Sequence, residues 1–81
     1  MHISVEISLY PFVPKYEKPI LDFINRLHAY PALEIHTNTM STQIFGPYDV
    51  VMSALQQDMQ ASLSEEYTNV FVLKVLNVAP A

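Results

Sequence analysis

The segment Thr37-Asn38-Thr39-Met40-Ser41-Thr42-Gln43 carries six neutral hydrogen-bonding side chains in seven positions. Hydroxyls and amides donate and accept without carrying charge. Such a set suits a polar heterocycle better than a phosphate or a carboxylate, which recruits Arg or Lys. The composition also has a purely structural explanation, since Thr favours strands and Asn favours turns. Glu34 and His36 stand two apart, the spacing that puts both on one face of a strand. They form either an acid–base pair or a surface ion pair. His2, His28 and His36 show no i,i+4 spacing, so no zinc site is expected. The chain has no Cys, which excludes disulfides and thiolate metal sites. Its single glycine, Gly46, excludes Gly-rich phosphate loops and the Gly-x-Ser-x-Gly nucleophile turn.

These residues sit in a chain of 81 residues, 51% hydrophobic and 15% charged. That balance excludes intrinsic disorder and predicts one domain over residues 1–81. A core this small gives modest stability without a disulfide or metal, so part of the apolar surface is expected to close an oligomer interface. Four Lys and Arg stand against eight Asp and Glu, for a net charge of −4. The scattered Lys15, Lys18, Arg26 and Lys74 make a poor nucleic-acid surface. An acidic excess suits a neutral or cationic small molecule. No apolar run approaches the ~18 residues of a membrane span. The first residues, Met1-His2-Ile3-Ser4-Val5-Glu6, lack the basic start of a signal peptide. The expectation is a cytoplasmic protein with no membrane partner.

The chemistry-bearing residues fall on a regular series of elements. Residues 2–10 alternate, with Ile3, Val5, Ile7 and Leu9 on one face and Ser4, Glu6, Ser8 and Tyr10 on the other. Pro11 and Pro14 are expected to end this strand. Ile20, Phe23, Ile24 and Leu27 recur at helical spacing, with Pro19 in the first turn and Pro31 stopping the helix near Tyr30. Glu17 and Arg26 complement the helix dipole. Two β segments follow, residues 33–38 and 41–45, joined as a hairpin through Asn38-Thr39-Met40. Gly46-Pro47-Tyr48-Asp49 predicts a second helix start, and Met52, Leu55, Met59 and Leu63 its buried stripe. After a polar link at Glu65, Glu66 and Asn69, residues 70–76 read as a strand, and 78–81 as a frayed tail.

The order β-α-β-β-α-β predicts an α+β, ferredoxin-like fold. Right-handed crossovers put both helices on one face of a four-stranded antiparallel sheet, the first strand lying between the third and the last. The helices leave the other face open. Ser4, Glu6, Ser8, Tyr10, Val72 and Lys74 should populate it, a mixture that suits a second subunit or a ligand. Glu6 and Lys74 are expected on adjacent strands there, as an ion pair or a ligand contact. Tyr10, Tyr16, Tyr30, Tyr48 and Tyr67 lie near element ends, where they either cap the core or stack on a flat ligand.

Three segments together resemble the YkoF-type thiamine/hydroxymethylpyrimidine-binding proteins and their small single-domain relatives. They are Ile3-Ser4-Val5-Glu6-Ile7-Ser8-Leu9-Tyr10-Pro11, then Thr37-Asn38-Thr39-Met40-Ser41-Thr42-Gln43-Ile44-Phe45-Gly46 leading into Tyr48-Asp49, then Val70-Phe71-Val72-Leu73-Lys74-Val75-Leu76-Asn77. The resemblance covers nearly the whole chain. It implies non-catalytic binding of thiamine or its hydroxymethylpyrimidine moiety, as a carrier, sensor or salvage partner, with no cofactor and in a homo-oligomer, a dimer or a tetramer. Carried over by position, Asn38, Ser41 and Thr42 would hydrogen-bond the pyrimidine. Glu6, Ser8 and Tyr10 would line the same region, Glu6 pairing with an aminopyrimidine edge or standing near a thiazolium charge.

Two other functions share the fold. One is a small dimeric enzyme using His36 with Glu34, although no nucleophile or metal cluster accompanies them. The other is a regulatory or assembly domain that binds its ligand at a Gly-containing loop after the first strand. The loop Pro11-Phe12-Val13-Pro14-Lys15 has no Gly, which counts against it.

Overall fold

The computed structural model describes residues 1–78, so the segment 79–81 of the expected tail lies outside the described residues. The elements are β1 (His2–Pro11), α1 (Glu17–Leu27), β2 (Glu34–Thr37), β3 (Thr42–Pro47), α2 (Tyr48–Leu63) and β4 (Asn69–Leu76). They form one antiparallel sheet in the order β2-β3-β1-β4, with two helices: the α+β, ferredoxin-like βαββαβ fold.

The period-2 pattern of β1 is realised residue by residue. Ile3, Val5, Ile7 and Leu9 are buried against the helices, while Ser4, Glu6 and Ser8 are half-exposed on the open face. Phe23 and Leu27 of α1, and Ile44 of β3, complete the centre of the core. Phe23 and Phe71 pack with ring centroids 5.1 Å apart, fixing α1 over the sheet. Val75 shares the helix-facing side but is 51% exposed, because the helices do not cover the outer end of β4. Val78 has a fixed carbonyl, which accepts a hydrogen bond from Ser4 Oγ.

Several boundaries differ from expectation for local reasons. α1 ends at Leu27, but the Ala29 and Tyr30 amides bond back to Arg26 and Leu27, so tighter turns carry the chain to Tyr30. β1 ends at Pro11, as expected, and Pro11 keeps its place in the ladder as the partner of Asn69. Gly46 and Pro47 belong to β3, and α2 begins at Tyr48. Gly46 is needed for closeness rather than for a turn. A Cβ there would stand 3.1 Å from Leu33 Cδ2 and 3.2 Å from the Ala32 carbonyl oxygen. Gly46→Ala should therefore cost about 1–3 kcal/mol through overpacking. An unchanged denaturation midpoint would show that the contact yields freely.

The buried face of α2 is the main correction. Val51, Ala54, Leu55, Asp58 and Ser62 are buried, whereas Met52 and Leu63 of the expected stripe are exposed. The helix turns a carboxylate inward because α1 supplies its counter-charge. Arg26 Nε donates to Asp58 Oδ1, and Arg26 Nη2 donates to Ser62 Oγ at 2.7 Å. Asn69 Nδ2 donates to the Ser62 carbonyl at 2.9 Å, tying the start of β4 into the same cluster.

Candidate functional site

The hairpin between β2 and β3 is closed by its own first residue. Asn38 Oδ1 accepts from the Met40 amide at 2.7 Å and the Ser41 amide at 3.0 Å. The Asn38 amide donates to the Ser41 carbonyl at 3.1 Å. This is an Asx turn, the local geometry that a short side-chain carbonyl permits. It leaves the Asn38 Nδ2 donors outside the turn. Ser41 Oγ donates to Glu6 Oε2 at 3.2 Å, which anchors the turn to β1.

The turn forms one rim of a cleft of about 470 Å³ at the end of the sheet. That volume lies in the range of small-molecule sites. Ile7 and Leu9 of β1 and Ile20, Phe23 and Ile24 of α1 make its apolar walls. Phe12 and Tyr16, both more than half exposed, stand at its mouth. Ser8, Tyr10, Asn38, Ser41 and Thr42 all contribute to the lining, so five of the six residues singled out above converge there. Thr42 is 6% exposed, with its side chain on the helix-facing side opposite Ile7.

Glu6 is the sixth, and it does not line the cleft. It lies on the open face between Ser41 and Lys74, whose Nζ is 3.6 Å from Glu6 Oε1. The pair is exposed enough to contribute little to stability. No Asp, Glu, His, Lys or Arg is among the lining residues. Recognition inside the cleft therefore relies on apolar contact, aromatic rings and neutral hydrogen bonds. Glu34 and His36 pair at 3.0 Å on the open face, exposed and outside the cleft. Among the described residues, no three His, Asp or Glu side chains converge as metal ligands. No helix there is long and apolar enough to cross a membrane.

The aromatic mouth leaves little trace in the sequence. Phe12 falls between two prolines and Tyr16 precedes the helical period, so neither carries a periodic signal. A large aromatic in a loop with no core position to fill is the available clue.

No protein-family model matches the sequence, and no match was found among curated proteins. Solved structures match the fold. A hypothetical protein from Methanocaldococcus jannascii is 22% identical, with a TM-score of 0.82 over 99% of this chain and 84% of that one. A Thermotoga maritima protein described as a candidate thiamine biosynthesis/salvage protein is 14% identical, with a TM-score of 0.83 over 96% of this chain and 85% of that one. A domain of unknown function from Bacillus cereus is 14% identical, with a TM-score of 0.69 over 93% and 74%.

Proposed function

We propose that this chain binds thiamine or its hydroxymethylpyrimidine moiety without transforming it, and that the cleft beside the β2–β3 turn is the site. The observation that carries the reading is the union of an aromatic, apolar cleft with the neutral polar turn. The walls suit a flat ring, and Asn38 Nδ2, Ser41 and Thr42 supply uncharged donors and acceptors at its rim. The thiamine-related description of one structural neighbour agrees with it, as does the resemblance to YkoF-type proteins. With no ionisable Asp, Glu, His, Lys or Arg in its lining, the cleft favours the neutral pyrimidine, and a thiazolium would project toward solvent.

Glu6 then acts through Ser41, holding the turn in place from the open face. Exposed Tyr10, Val70, Val72 and Leu76 lie on the same face. A second copy covering them would give the homo-oligomer this small core calls for. The role as carrier, sensor or salvage partner in the cytoplasm belongs to the same proposal. The Glu34–His36 pair gains no support as a catalytic dyad, since it faces away from the cleft.

Calorimetric titration with thiamine, the free pyrimidine and the free thiazole tests the reading. Heat from the first two, saturating at one site per chain, with the pyrimidine recovered unchanged, is the expected result. Silence from both at millimolar concentration would overturn it.

A further inference from the structure

The ladder of β1 stops on one side before the strand does. In an antiparallel sheet, alternate residues turn both backbone groups toward the same neighbour. The alternation in β1 is fixed at its two ends. The Phe12 amide donates to the Thr68 carbonyl at 2.9 Å, in register with the β1–β4 pairing, so even-numbered residues bond toward β4. The Tyr48 amide donates to the Met1 carbonyl at 2.9 Å, in register with the β1–β3 pairing, so odd-numbered residues bond toward β3.

Pairing with β3 ends at Ile7↔Thr42. Leu9 is the next odd residue, and the residue in register with it, Met40, lies in the turn. By this alternation the Leu9 N–H and C=O have no strand partner, and among the described residues no turn or loop group bonds to them. Leu9 is 8% exposed and lines the cleft. Shielded backbone groups of this kind are rarely left unpaired. Pro11, the odd residue after it, has no N–H, which is why a proline fits at the last position of this strand.

We propose that the Leu9 main chain is the recognition edge of the cleft for a flat heteroaromatic ring bearing an amino group beside a ring nitrogen. The Leu9 N–H donates to the ring nitrogen, and the Leu9 carbonyl accepts from the amino group. Such a ring offers, on one edge, the donor and acceptor that an opposing strand residue would have offered. The inference rests on the pyrimidine-binding reading above and names the atoms that read the ring. A peptide strand fits less well, because Pro11 leaves the vacated edge a single N–H.

Amide hydrogen exchange by NMR on isotope-labelled protein tests it, with the aminopyrimidine and an analogue in which hydrogen replaces the amino group. In the free protein, the Leu9 amide should exchange faster than those of Val5 and Ile7. At ten times Kd, the aminopyrimidine should slow Leu9 exchange by about tenfold, since only unliganded protein exchanges. The analogue should bind at least about tenfold more weakly. A Leu9 amide as protected as Val5 in the free protein would overturn the inference before any ligand is added. Binding without protection of Leu9, or equal affinity for the two compounds, would overturn it while leaving the pyrimidine reading in place. Absence of any binding would overturn that reading, and the inference with it.

Discussion

Replacing Arg26 with Ala should destabilise the fold by about 3 kcal/mol, a large part of what a domain this small holds. Arg26 is the counter-charge of Asp58, whose side chain is 1% exposed. Among the described residues, Asp58 Oδ2 is buried with no hydrogen-bond partner even with Arg26 in place. Removing the guanidinium leaves a buried carboxylate uncompensated and frees Ser62 Oγ. Chemical denaturation measures the loss. A midpoint within error of the parent would mean that the cluster contributes nothing. The double variant Arg26→Met with Asp58→Leu should regain most of the stability, since paired removal leaves no orphan charge.

The same cluster predicts a sign for the pH dependence. Burial pushes the Asp58 carboxyl above its ordinary 3.8, and Arg26 opposes the shift. A raised folded-state pKa means that the folded protein holds the proton more tightly than the unfolded chain. The resulting stability is fully present below pH 3.8 and fades as pH rises through the raised folded value. The Arg26→Ala loss should therefore shrink on acidification, because a protonated Asp58 needs no counter-charge. A loss that grows on acidification would contradict this.

Asn38 is expected to give the largest effect on the site. Asn38→Ala removes the acceptor of two backbone amides and should cost about 1–2 kcal/mol while releasing the cleft's polar rim. Affinity for the pyrimidine should fall by at least about tenfold. Asn38→Asp separates the two roles. Its carboxylate keeps both turn bonds but lacks the Nδ2 donors, so the midpoint should hold while affinity still falls. Calorimetry and denaturation on the two variants decide the matter. If the Asn38→Asp variant binds as tightly as the parent, Asn38 only shapes the turn.

The parts legible in the sequence are those where one face is buried and the period is short. The alternation from Ile3 to Leu9 marks the core face of β1, and with it the Glu6–Lys74 neighbours found at 3.6 Å. The polar hairpin is visible from its residue types, although its closure by Asn38 Oδ1 needs backbone geometry that composition does not carry. The pattern of α2 misleads because the helix is apolar on two flanks. Val51 and Met52 are adjacent, and the flank that turns inward joins Val51, Ala54 and Leu55 to the core and sets Asp58 against Arg26. That partner lies 32 residues away on α1, where Arg26 looks like a simple dipole complement. The cleft is illegible for the same reason. Its lining comes from the C-terminal end of β1, the face of α1, a loop between prolines and the β2–β3 turn, segments far apart in the sequence.

The most direct test of the account is to map amide chemical shifts as the free aminopyrimidine is added. Shifts should concentrate at residues 8–12, 16–24 and 38–42, which frame the cleft. Shifts centred on the Glu6–Lys74 row of the open face, or none at millimolar ligand, would contradict the assignment of the cleft as the pyrimidine site.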